Sequence, residues 1–110
     1  GTETKILLRG SDTTMVVFGD GDVEQNYGLF GGKGSVLNKI ELKYKNGKKI
    51  VPLSKDIIYG IPDGTVYRQI AGGGGGYGSP KKRVRKKVIR DVKNELVSKG
   101  AAQKIYNVNI

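Results

Sequence analysis

Short stretches in which apolar and polar residues alternate fill the first two-thirds of the chain, and a four-residue apolar period replaces them near its end. Thr4 to Leu8 and Thr13 to Phe18 are rich in β-branched and apolar side chains. They predict two strands joined by a turn at Arg9-Gly10-Ser11-Asp12. From Ser35 to Tyr44, the apolar Val36, Ile40, Leu42 and Tyr44 are set among Lys39, Glu41 and Lys43, so one strand face is expected to look inward. Asn46-Gly47 is a strong short hairpin signal, with Lys48 to Leu53 as the returning strand. Ile57-Ile58-Tyr59, the turn at Pro62-Asp63-Gly64 and the strand at Thr65 to Ile70 complete the series. Residues 1–71 therefore predict a small antiparallel β unit of short strands.

The period then changes. Ser79 suits a helix N-cap and Pro80 the first helical position, where its missing N–H costs nothing. Val84, Val88 and Val92, with Ile89 beside them, make one narrow apolar stripe on a broadly basic helix. Val97-Ser98 breaks the pattern, and Ser98 can cap a second short helix through Ala101, Ala102 and Ile105. The apolar ending Tyr106 to Ile110 is expected to pack. The fold class is α+β: the β unit of residues 1–71, a glycine-rich strand-to-helix turn at 72–80 and two C-terminal helices within 81–110. Together they read as one structural unit belonging to a larger subunit.

Two glycine-dense segments punctuate this plan. Tyr27-Gly28-Leu29-Phe30-Gly31-Gly32-Lys33-Gly34 combines positions suited to positive φ or close backbone approach with an apolar Leu-Phe pair that a purely solvated loop does not need. Gly72 to Gly76, followed by Tyr77-Gly78-Ser79-Pro80, matches dinucleotide-type glycine spacing automatically, so that match carries no weight. A phosphate-binding loop would end in Gly-Lys-Ser or Gly-Lys-Thr, and Gly78 is followed by Ser79-Pro80 instead. The adjoining aromatic, cap and helix favour a tight connection over a flexible linker.

Composition narrows the chemistry. At 110 residues with 36% hydrophobic residues and 18 glycines, the chain predicts a thin core that leans on a partner. It holds neither cysteine nor histidine, which removes thiol chemistry and the commonest metal ligand and general base. No catalytic or metal-binding residue is therefore assigned. No apolar run approaches the roughly 20 residues of a membrane span, and no leader pattern is present, so a cytoplasmic protein is the expectation. Gly1 is not an initiator, which suggests processing or excision from something longer. Lys81 to Lys93 holds eight basic residues against Asp91, +7 of the net +10. Such a block serves as a solvated helix face, a surface for an acidic partner or a nucleic-acid footprint, and the first two outweigh the third. Lys81, Lys82 and Arg83 fall in the expected first helical turn, where the helix dipole disfavours cations. They are the candidate contacts to an anion or a partner.

Taken jointly, Tyr27-Gly28-Leu29-Phe30-Gly31-Gly32, the Gly75-Gly76-Tyr77-Gly78 and Pro80 of the second segment, Val88, Asp91-Val92, Val97-Ser98, Ala101-Ala102 and Tyr106-Asn107-Val108 resemble the C-terminal region of the hydantoinase B family. The resemblance covers roughly residues 24–110. The family includes the second subunit of ATP-dependent N-methylhydantoinases, the corresponding half of 5-oxoprolinases and subunits of acetone and acetophenone carboxylases. It implies a component of an ATP-dependent, multi-subunit enzyme acting with a hydantoinase A-type subunit and the remainder of a hydantoinase B-type subunit. ATP and a divalent metal would bind elsewhere in that complex, and none to this chain. Gly31, Gly32, Gly75, Gly76, Tyr77 and Gly78 would shape an interface or border the active site. A basic nucleic-acid-binding module and a non-catalytic scaffold subunit are the alternatives. Three departures from the family pattern are Ser79 in place of an acidic residue, the basic run after Pro80, and Glu95 where a glycine is common. The last predicts a first helix that runs on or ends under strain.

Overall fold

The computed structural model describes all residues from Gly1 to Ile110. They form an α+β fold of antiparallel strands followed by two C-terminal helices. The chain divides into two compact units, one of Gly1–Asn26 with Ser35–Gly74 and one of Tyr27–Gly34 with Gly75–Ile110. The second unit resumes at Gly75, inside the glycine-rich run. The excursion Tyr27–Gly34 leaves the β unit and belongs with the helices.

Six strands build the first unit: β1 (Thr2–Leu7), β2 (Thr13–Phe18), β3 (Lys39–Lys43), β4 (Lys49–Ile50), β5 (Lys55–Ile61) and β6 (Val66–Ala71). A four-stranded sheet runs in the order β1-β6-β3-β4, and β2 pairs with β5 in a separate two-stranded sheet. Every pairing is antiparallel. The Asn46-Gly47 hairpin forms as expected between β3 and β4, with Gly47 at φ 90° and Gly47 N–H donating to Tyr44 O at 2.9 Å.

Arg9 to Asp12 is a different kind of turn from the one its composition suggests. It does not fold β2 back onto β1; it carries one long ribbon around a corner. Partner numbers add to 73 on both sides of it, Leu7 with Val66 and Phe18 with Lys55, so residues 2–18 run antiparallel to 55–71 throughout. At the bend, Leu8 N–H donates to Thr65 O, Gly64 N–H to Leu8 O and Gly10 N–H to Asp63 Oδ1, each at 2.8–2.9 Å. Thr65 and Ile61 are fully buried there, the Thr65 hydroxyl donating to Pro62 O. A corner of this sort lets one ribbon serve two sheets, and the unit's buried apolar residues are Val17 and Ile61 of the ribbon and Leu42 of β3. The core is thin, as the composition implies.

Across β1, β6 and β3 lies a charge triad that the sequence reading did not single out. Arg68 donates to Glu3 Oε1 at 2.7 Å and to Glu41 Oε1 at 3.2 Å. These hydrogen bonds hold both carboxyls below the usual range for glutamate. The signal was strand register: Glu41 lies directly opposite Arg68, while Glu3 is diagonal to it.

In the second unit, a single 3₁₀ turn at Pro80–Lys82 precedes α1 (Arg85–Lys93) and α2 (Lys99–Lys104). Val88, Ala102 and Val108 are its buried core, with Val92, Val97 and Tyr106 packed around them. The valine stripe thus faces inward at Val88 and Val92, whereas Val84 lies before the helix and is exposed. Ser79 occupies the cap position of the 3₁₀ turn without a side-chain bond, and Val84 is the cap residue of α1. Ser98 caps α2 as expected, its Oγ accepting from Ala101 N–H at 3.1 Å.

The end of α1 bears out the expectation of strain. Leu96 N–H bonds to Asp91 O and Glu95 N–H to Val92 O, the paired closure of a Schellman motif. Its left-handed position is Glu95, at φ 60°. A Cβ there costs about 1–2 kcal/mol, which glycine would avoid at some cost in unfolded-state entropy. Glu95→Gly is accordingly expected to stabilise the fold by roughly 0.5–1 kcal/mol, read as a higher urea midpoint at unchanged slope.

Candidate interaction site

The two glycine-dense segments meet in space. Leu29 and Tyr77 form an isolated parallel bridge, with Leu29 N–H donating to Gly76 O and Gly78 N–H to Leu29 O, both at 2.8 Å. Gly76 N–H donates to Lys33 O at 2.8 Å. Three stretches of backbone, around residues 28, 32 and 76, therefore lie side by side with no side chain between them. A Cβ on Gly28 would strike Gly32 O, one on Gly32 would strike Gly76 O, and one on Gly75 would strike Tyr27 O. These are clashes with backbone, which cannot swing away. Glycine at these positions is a condition of assembly.

The connection between these stretches is a reverse turn. Gly32 N–H donates to Leu29 O at 2.9 Å, and the two central residues, Phe30 at φ 50° and Gly31 at φ 88°, are both left-handed, the pattern of a type I′ turn. A bulky residue at positive φ is a strained position. Phe30 is also 79% exposed, so burial does not offset the strain. Its ring and that of Tyr77, itself 80% exposed, make a T-shaped pair at a centroid distance of 5.4 Å and an angle of 68°. Tyr27 is equally exposed and Leu29 is half-exposed. Clamp glycines and displayed aromatics thus alternate along the same two segments.

The structure sorts the remaining predicted residues. Gly31 lies against Ser79, and Gly78 takes φ 74°, leading the chain into Pro80 and the 3₁₀ turn. Lys81 and Lys82 sit in that turn, ahead of α1 rather than in its first turn. They are exposed, with no carboxylate within 4.0 Å. Arg83 departs from expectation: it pairs with Asp91, which is buried in α1, and so satisfies an internal charge. Arg85 donates to Asn109 O at 3.1 Å. The first turn of α1 still contains no acidic residue, since Arg85, Lys86 and Lys87 occupy it.

Sequence reasoning missed a groove in the β unit. A cavity of about 460 Å³ opens there, lined by Val17, Val36, Leu37, Ile40, Val51 and Leu53 among others. The clue was the number of apolar residues near turns, such as Val51 and Leu53, that no strand face could bury. The chain has no group of three or more histidine, cysteine or acidic residues placed to hold a metal ion. No helix is long and apolar enough to cross a membrane.

No family model matches the chain. No solved structure matches it either. Over 66 residues it is 41% identical to an uncharacterized protein of Methanocaldococcus jannaschii, a match covering 60% of this chain. The match spans only 12% of that relative's length.

Proposed function

We propose that this chain is a small subunit or C-terminal segment of a hydantoinase B-type component, acting with a hydantoinase A-type subunit in an ATP-dependent enzyme. The observation that carries the reading is the union of Tyr27–Gly32 with Gly75–Pro80. Two motif pieces more than forty residues apart, identified from the sequence as separate marks of one resemblance, make a single backbone clamp. A relative several times longer than the matched stretch is in keeping with a chain that corresponds to a segment of a larger protein.

In such a complex the A-type subunit spends ATP to phosphorylate a carbonyl oxygen. The B-type component then completes hydrolysis of a cyclic amide such as a hydantoin or 5-oxoproline, or carbon–carbon bond formation on a ketone. Phosphorylation converts a poor leaving oxygen into a good one. The present chain contributes the glycine clamp and the surface it displays, and the reacting groups, ATP and divalent metal belong to the partners. A cytoplasmic location fits this role.

Affinity purification of the tagged chain from its native cells, followed by identification of the polypeptides, tests the reading. Expected are a hydantoinase A-type subunit, a large B-type polypeptide, and ATP hydrolysis that depends on an added cyclic amide or ketone. Recovery of the chain without any such subunit would sink it.

A further inference from the structure

The helical unit carries Lys33 and ten further lysines and arginines against Asp91 and Glu95, nine of the ten net positive charges of the chain. The β unit is nearly neutral. Within the helical unit the aromatic turn at Phe30 abuts Ser79, immediately before the basic run begins. Lys81, Lys82, Lys86 and Lys87 are exposed and lack an acidic neighbour. The same unit displays three exposed aromatic rings, Tyr27, Phe30 and Tyr77, with Phe30 held in a strained conformation. Aromatic residues concentrate at the centres of protein interfaces, and lysines are depleted there, which suits them to the rim. Exposed apolar groups bordered by charge mark interaction surfaces.

From this arrangement we infer that the Phe30–Tyr77 pair is a docking anchor for an acidic protein partner. Its receiving surface is an apolar pocket flanked by aspartates or glutamates that face Lys81, Lys82, Lys86 and Lys87. Taking that partner to be the large B-type polypeptide rests on the proposed function; the chemistry of the surface does not. The charge is too concentrated to be matched by the helical unit's own acids, because the unit holds only two, and one of them, Asp91, is already bound to Arg83. An acidic partner would also relieve the unfavourable start of α1, where the helix dipole and three cations coincide. Steering by such charge would make assembly sensitive to salt.

The strained turn supplies a discriminating variant. Phe30→Gly removes the ring and at the same time frees the backbone at φ 50°. If Phe30 is an anchor, the isolated chain melts at an unchanged or higher temperature, while its affinity in the native complex falls by about tenfold or more, the scale of an anchor residue. If Phe30 is instead a structural residue, the melting temperature drops and affinity follows only through unfolding. Zero-length carbodiimide crosslinking of the purified complex reads the charge partners directly. Crosslinks from Lys81, Lys82, Lys86 or Lys87 to carboxylates of the partner are expected, and the double variant Lys81→Glu, Lys82→Glu should weaken them and the complex together.

A large B-type polypeptide bound as tightly by Phe30→Gly and by the charge variant as by wild type would overturn the anchor and leave the enzyme reading standing. A different large acidic partner, lost with both variants, would do the reverse. Tight, salt-sensitive binding of a fluorescent oligonucleotide by the wild-type chain, abolished by the same variants, would overturn the protein-partner assignment in favour of nucleic acid.

Discussion

Gly75→Ala is expected to destabilise the fold by about 1–3 kcal/mol or more, whereas Gly74→Ala, one residue earlier in the same run of five glycines, is expected to be harmless. The added methyl at Gly75 points into Tyr27 O, and backbone must move to admit it. At Gly74 a Cβ meets nothing within 4 Å, so the main effect is to narrow the unfolded ensemble, a gain of at most about 0.4–1 kcal/mol. Gly32→Ala should resemble Gly75→Ala, because its methyl would strike Gly76 O. For a domain of this size each kcal/mol moves the melting temperature by roughly 4–8 °C, so thermal melts of the three variants separate them clearly. A linker would tolerate all three substitutions alike. An equal, small response across Gly32, Gly74 and Gly75 would therefore refute the clamp.

That contrast also marks the limit of what the chain reveals unaided. The glycine spacing in the run is uniform, and nothing local distinguishes Gly74 from Gly75; the difference comes from Tyr27, which lies 48 residues away in sequence. Features set by local chemistry were legible: the Asn46-Gly47 hairpin, the Ser98 cap and the inward Val88 all follow from neighbours within a few residues. Features set by long-range pairing were not. Arg9 to Asp12 has the composition of an ordinary turn, and only the register of residues 2–18 against 55–71 makes it a corner. Arg83 sits in a basic run as one cation among eight, and only the fold brings it to Asp91. For the candidate site, the sequence marked both halves as glycine-dense segments bearing aromatics. It could not disclose that one half grips the other, nor that Phe30 is held outward at positive φ.

Leu42→Ala should be the most damaging single change in the β unit, with a cost of about 2–5 kcal/mol. Leu42 is fully buried on β3, opposite Tyr67 of β6 and Ile50 of β4, so its side chain is shared by three strands. Only Val17 and Ile61 join it as buried apolar residues in this unit. With so few large side chains beneath the sheets, little neighbouring mass can relax into the cavity, which places the expected loss toward the upper end of the range. Domains commonly retain only about 5–15 kcal/mol in total, so the loss is a substantial share. Leu53→Ala provides the contrast: the same side chain, 72% exposed, should change stability by no more than about 0.5 kcal/mol. Urea titrations of the two variants check the pair. Similar midpoints would mean that the four-stranded sheet draws its stability from something other than the Leu42 contact, with the Arg68 triad on its charged face the next feature to remove.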